Sequence, residues 1–141
     1  MSNLTAILYR SESQVRNGKG GLEDILRVAQ CRNSDLGITG ILHWESGVFH
    51  QWLEGPEDQV RTVYSSICKD QRHEKIIKLS DMHIAERSFR FWSMVLCKND
   101  VLSIFDWAAG ENISFNKIKP NEILSFLHAC SERLKKDVYD K

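Results

Sequence analysis

Gly47-Val48-Phe49-His50-Gln51-Trp52-Leu53-Glu54-Gly55 is the stretch whose reading decides the fold. Val48 to Leu53 reads as a strand running into a turn and carries a single amide, Gln51, among apolar and aromatic neighbours. Upstream, Ile38 to Trp44 is a second such run. Glu45-Ser46-Gly47 joins the two, and its Ser-Gly pair signals a tight hairpin turn between antiparallel strands. Downstream, Pro56 stands where a first helical residue is tolerated, and Glu57 and Asp58 complement the positive end of a helix dipole. Val60, Val63, Tyr64 and Ile67 then trace one apolar stripe, predicting a helix that ends near Lys69.

Outward from this centre the pattern repeats. In Asn3 to Arg10, Leu4, Ala6 and Leu8 alternate with Ile7 and Tyr9, so both faces are apolar, as in a central strand covered by two layers of helix. Asn17-Gly18-Lys19-Gly20-Gly21 reads as a flexible link, and Gly18 to Gly21 lacks the spacing of a phosphate-binding loop. Leu22, Ile25, Leu26 and Ala29 predict a first helix to about Asn33. Ile76 to Ile84 and Phe91 to Cys97 read as further strands, giving a βαββαββ order. That order predicts an α+β sandwich of ferredoxin-like type with a five-stranded mixed sheet and two helices on one face. Helices over Asp100 to Ala109 and Pro120 to Lys136 follow. The second carries Ile123, Leu127, Cys130 and Leu134 on one side, which suits the sheet's other face. The expected organisation is a domain over residues 1–97 and a helical extension over 98–141 packed on the sheet.

Composition narrows the function. A chain of 141 residues, 42% hydrophobic and 27% charged, is large enough to bury a core without disulfides or structural metal. Lys+Arg and Asp+Glu both number 19, so the field that a nucleic-acid or anionic-membrane binder relies on is missing. Neither partner is expected. The amino terminus lacks a signal-peptide pattern and no run is long enough to cross a bilayer, so a soluble, cytoplasmic protein is expected. Cys31, Cys68, Cys97 and Cys130 form no Cys-x-x-Cys pair and read as reduced packing residues. His43, His50, His83 and His128 lack metal-site spacing, and no metal is expected.

Gln51 carries the chemistry. A buried amide must find partners, and Tyr9 in the first strand and Asn33 before Gly37-Ile38-Thr39-Gly40 could join it around a planar, hydrogen-bonding cofactor. Taken singly, each has a plainer reading. Tyr9 would be a core tyrosine, Gln51 a strand residue facing water, Asn33 a helix-ending residue, and His73 a surface histidine.

Together, Tyr9-Arg10-Ser11, Arg32-Asn33, Gly37-Ile38-Thr39-Gly40, Phe49 to Gly55, Asp70-Gln71-Arg72-His73 and Phe91-Trp92-Ser93-Met94 occur in the order and spacing of BLUF domains. The chain resembles these blue-light sensors from about Leu4 to Leu96. The resemblance implies a non-covalent FAD, which FMN or riboflavin could replace, standing between the two helices with Ile25 and Ile67 as apolar walls. Asn33 would meet the ring's C4 carbonyl and N3 edge, Arg32 the C2 carbonyl, and Gln51 would lie between N5 and Tyr9, with Phe49 beside it. Asp70, Arg72 and His73 would face the ribityl and phosphate end.

The resemblance further implies that Tyr9 yields an electron to the light-excited flavin and a proton through Gln51. The rearranged amide would then bond the C4 carbonyl more strongly, with Trp92 and Met94 passing the signal on. Many members read Ser-Arg-x-Asn-Asn where this chain has Ala29-Gln30-Cys31-Arg32-Asn33, and His50 replaces a more usual apolar neighbour of the glutamine. No enzymatic activity is expected. Output would pass to a separate protein effector or through rearrangement of a homo-oligomer. The alternatives are a flavin-dependent oxidoreductase, which needs a substrate site where Tyr9 and Gln51 fall, and a ferredoxin-like interaction module without cofactor.

Overall fold

Ser46 and Gly47 adopt φ of 53° and 81°, the double positive-φ geometry of a two-residue hairpin turn whose twist matches that of the strands it joins. The turn pairs β2 (Thr39–Glu45) with β3 (Val48–Pro56) from Glu45 opposite Val48 to Thr39 opposite Glu54. The computed structural model describes residues 3–13 and 21–139. Residues 17–20 of the expected link lie outside them, and Gly21 is the N-cap of α1 (Leu22–Leu36).

The remaining elements are β1 (Leu4–Glu12), α2 (Glu57–Lys69), β4 (Glu74–Ile84), β5 (Val95–Lys98), α3 (Ile104–Gly110), a 3-10 turn over Phe115–Lys117, and α4 (Pro120–Tyr139). The strands lie in the order β4-β1-β3-β2-β5. All pairings are antiparallel except β2 with β5, which is parallel. The sheet is mixed and the architecture is the α+β ferredoxin-like sandwich with one added strand.

Successive strand residues point to opposite faces, and β1 separates two cores accordingly. Ile7 and Tyr9 join Leu22, Ile25 and Ala29 of α1 and Val60, Val63 and Ile67 of α2. Ala6 and Leu8 join Trp52 of β3, Ile104 of α3, and Ile123, Phe126, Leu127 and Cys130 of α4. Leu134 packs at the margin of this second core.

Four sequence expectations are corrected. Helix α1 runs past Asn33 to Leu36, where Gly37 takes the left-handed conformation at φ 69° and its N–H caps the Asn33 carbonyl. Helix α3 starts at Ile104, because Ser103 is its N-cap and the Glu45 carboxylate takes the Ser103 hydroxyl at 2.6 Å and the Ile104 N–H at 2.9 Å. Cys31 and Cys68 are exposed, so only Cys97 and Cys130 are packing residues.

The last correction concerns the final strand, which begins at Val95 and leaves Trp92 and Met94 outside it. Side chains of α1 take the carbonyls of the preceding residues: Asn33 Nδ2 donates to Ser93 O at 3.0 Å and Gln30 Nε2 to Met94 O at 2.9 Å. The segment is also held from upstream. Buried Glu54 accepts the N–H groups of Ser88 and Phe89 at 2.7 and 2.8 Å, together with Thr39 Oγ1 and Trp52 Nε1. A buried carboxylate is tolerable with such a complement of donors.

Candidate functional site

Tyr9 of β1 and Gln51 of β3 are direct partners in the antiparallel ladder, both directed to the α1/α2 side of the sheet. The Tyr9 hydroxyl donates to Gln51 Oε1, and Gln51 Nε2 donates to the Met94 sulfur at 3.4 Å. Tyr9 is fully buried, and burial raises its phenol well above the ordinary range, opposed by the nearby Arg32 charge. The phenol is therefore neutral at ordinary pH. A thioether is a weak acceptor, so the buried Gln51 amide is held by a strong contact at its oxygen and a weak one at its nitrogen. Such an arrangement favours reorientation toward any better acceptor brought to the nitrogen.

Around this pair the other expected site residues fall on the same face. Tyr9 meets Tyr64 edge to face at 5.7 Å between ring centroids and His73 at 6.2 Å. His73 packs on Phe49 at 5.1 Å, and its Nδ1 lies 2.9 Å from Ser11 Oγ. Burial lowers the His73 pKa, with Asp70 raising it and Arg72 lowering it, so the ring is neutral. Ile25 and Ile67 are buried in the same core as Tyr9 and Met94. Asn33 is buried and accepts Arg32 Nε at 3.3 Å through Oδ1. Arg32 is half-buried, and desolvation lowers its pKa while Tyr9 and Asp70 oppose that shift and Arg72 adds to it. Arg72 pairs with Asp70 at 2.8 Å and holds that carboxyl below its usual range.

Trp92 is not brought to Gln51. It is half-buried against the α3/α4 core, and its indole Nε1 donates to Ser131 Oγ of α4 at 3.0 Å. His50 also lies on that far side, where it lines a small recess with His43, Ile104 and Phe105. Burial pushes its pKa down to about 3. Sequence reading missed Gln30, Tyr64 and Ser131. Gln30 stands one turn before Asn33, a spacing that places both on one helix face, whereas nothing in the sequence marks Ser131.

The donor set fits a flavin. Asn33 and Gln51 offer amides suited to the ring's heteroatoms, Ile25 and Ile67 are apolar, and Arg32 and Arg72 supply guanidinium groups suited to phosphate oxygens. The Gln51 N–H, held by no better acceptor than sulfur, is the observation that most directly calls for a polar ring edge.

The chain belongs to a family of light sensors: the model for sensors of blue-light using FAD matches residues 4–95. The blue light- and temperature-regulated antirepressor of Escherichia coli is 36% identical over 110 residues, which cover 73% of this chain and 27% of that protein. The photoactivated adenylate cyclase subunit beta of Euglena longa is 33% identical over 74% of this chain and 12% of its own. The chain thus spans about a quarter or less of these relatives. Among solved structures, the dark state of BlrB, a BLUF protein, is similar at a TM-score of 0.75 and 27% identity, covering 92% of this chain and 96% of that one. The photo-activated state of BlsA gives 0.73 and 28%, over 90% and 94%. Among the described residues no helix is long and apolar enough to cross a membrane.

Proposed function

We propose that this blue-light sensor works as a hydrogen-bond switch centred on Tyr9 and Gln51, with FAD as the flavin held by Arg32, Asn33, Gln51, Asp70, Arg72 and His73. The observation that carries the reading is the buried chain from the Tyr9 hydroxyl through the Gln51 carboxamide to the Met94 sulfur. A bound flavin supplies blue-light absorption and an excited state that takes up an electron.

The rest is done by this chain. Tyr9 is a neutral phenol in a dry site, so losing an electron without its proton would leave an unsolvated cation. Its hydrogen bond hands the proton to Gln51 Oε1 as the electron leaves. Both return, and Gln51 is left turned or tautomerised, its N–H no longer directed at Met94. Ile25, Ile67 and Phe49 keep water from competing for these bonds.

One rearranged hydrogen bond is worth about 0.5–1.5 kcal/mol, whereas moving a partner from mostly off to mostly on takes about 5.5 kcal/mol. The amide therefore biases a larger element. Met94 is its neighbour, and the adjoining Trp92 is bonded to α4, so residues 98–141 form the output extension of the sensor domain over 1–97. From there the signal passes to a separate cytoplasmic protein or to rearrangement within a homo-oligomer, and the chain itself catalyses no reaction. Absorption spectra in darkness and after a blue flash test the reading. A small reversible red shift is expected, while colourless protein after refolding with excess FAD contradicts it. Rapid oxidation of reduced nicotinamide would favour a flavin-dependent oxidoreductase instead.

A further inference from the structure

His43, Cys97 and Cys130 are far apart in sequence and lie on β2, β5 and α4. Residue spacing gave no metal motif, yet the fold gathers them in the core opposite the flavin face. His43 and Cys97 are direct partners in the parallel β2–β5 pairing, and Cys130 reaches them from α4. A ring nitrogen of His43 and the two Sγ atoms all lie within 4.8 Å of one another, and all three side chains are fully buried. Independently, His43 Nδ1 has no hydrogen-bond partner, although a buried polar atom normally finds one. Nε2 donates to the Leu102 carbonyl at 2.9 Å. That bond fixes the tautomer and leaves a lone pair on Nδ1, the outer support that metal-binding histidines usually have.

We propose that His43 Nδ1, Cys97 Sγ and Cys130 Sγ form a three-coordinate site for a soft d10 cation, copper(I) in preference to zinc(II), clamping α4 to the sheet. Ligand atoms about one ion with bonds of roughly 2.0–2.3 Å sit about 3.5–4 Å apart, so closing the site takes small side-chain rotations. Two thiolates and an imidazole are soft donors that select copper(I) or zinc. Zinc completes a tetrahedron, and the carboxylate beside His43, that of Glu45 at 3.9 Å from Nε2, is committed to Ser103 and Ile104. Copper(I) accepts three donors. Binding displaces both thiol protons to solvent, against the Cys97 hydrogen bond and the burial that push the Cys130 thiol pKa up, and leaves one net negative charge near Arg133, whose field acts in the opposite, favourable sense.

The test uses the full chain with exposed Cys31 and Cys68 replaced by serine, so that surface thiols cannot bind the ion. The protein is titrated anaerobically with copper(I) against a colorimetric copper(I) chelator, both directly and during refolding because the site is enclosed, and in parallel with zinc(II). One tight equivalent of copper(I) is expected, with zinc held more weakly. Cys130→Ser and His43→Gln are expected to weaken copper(I) by at least about 100-fold, the upper range for losing even an outer partner of a ligand. Should those variants fail to fold, X-ray absorption on the loaded parent is expected to show two sulfur neighbours and one nitrogen. No copper(I) retained against the chelator, tighter zinc than copper(I), a sulfur-only shell, or a Cys97–Cys130 disulfide formed in air with no metal uptake would each overturn the assignment.

Discussion

Met94 and Trp92, separated only by Ser93, leave the backbone on opposite faces of the sheet: Met94 accepts from Gln51 Nε2 at 3.4 Å, and Trp92 donates to Ser131 of α4 at 3.0 Å. In a regular strand residues two apart share a face. Met94 to Cys97 keep the alternation, with Met94 and Leu96 in the α1/α2 core and Val95 and Cys97 in the other. The break falls at Ser93, whose carbonyl is held by Asn33. The short stretch before β5 thus joins the face of Tyr9 and Gln51 to α4.

The first prediction concerns that joint. Ser131→Ala removes the indole's partner and is expected to destabilise the protein by about 1 kcal/mol while leaving the light-induced red shift intact. Hydrogen exchange in darkness and under illumination checks the coupling. Wild type is expected to show a light-dependent change in α4 that the variant loses.

Asn33→Ala leaves the Ser93 carbonyl without its donor. A loss of about 1–3 kcal/mol is expected, read as a lower urea midpoint at unchanged slope. Weaker flavin retention on gel filtration is expected with it, because Asn33 is assigned to the ring as well. Full retention would remove Asn33 from the binding site.

Glycine positions separate packing from propensity. A Cβ on Gly40 would stand 1.9 Å from the Trp52 carbonyl oxygen and 3.3 Å from Met94 Cε, so Gly40→Ala must displace β3 backbone. Insoluble or strongly destabilised protein is expected. Gly110, at the end of α3, has nothing within 4 Å of an added Cβ, and Gly110→Ala is expected to be neutral or to stabilise by up to about 1 kcal/mol. Thermal melts of the two variants check the contrast.

How much of this was legible follows from where each decision is made. The hairpin was, because Ser46-Gly47 fixes its register locally, and the apolar β1 announced two covering layers. Tyr9 and Gln51 could be paired because their motifs keep the spacing of a family. The end of α1 was misread because Asn33 is a reasonable terminator, yet Gly37 supplies the left-handed residue. Phe91 to Cys97 reads as continuous strand, and its first residues are held outside the strand by amides from α1 and, just upstream, by Glu54, all far away in sequence. The His43–Cys97–Cys130 cluster was invisible for the same reason, since its members meet only through tertiary packing.

A pH prediction rests on Asp81 of β4, which pairs with Arg61 of α2 at 2.9 Å and with Lys78 at 2.9 Å. Hydrogen bonds from Arg61 and Lys78 push its pKa down to about 2. A depressed carboxylate contributes stability above its unfolded value of about 4 and loses it as pH falls through the folded value. Solvent screening limits the contribution to about 1 kcal/mol or less. Asp81→Asn is expected to lower the urea midpoint slightly near neutrality, with the gap closing between about pH 4 and pH 2; a gap independent of pH would contradict the assignment.

The most direct test of the switch is a pair of light-minus-dark absorption spectra, one of wild type and one of Tyr9→Phe loaded with the same flavin. Wild type is expected to give a reversible red shift after a blue flash and the variant none. A Tyr9→Phe protein that shifts and recovers like wild type would contradict the account.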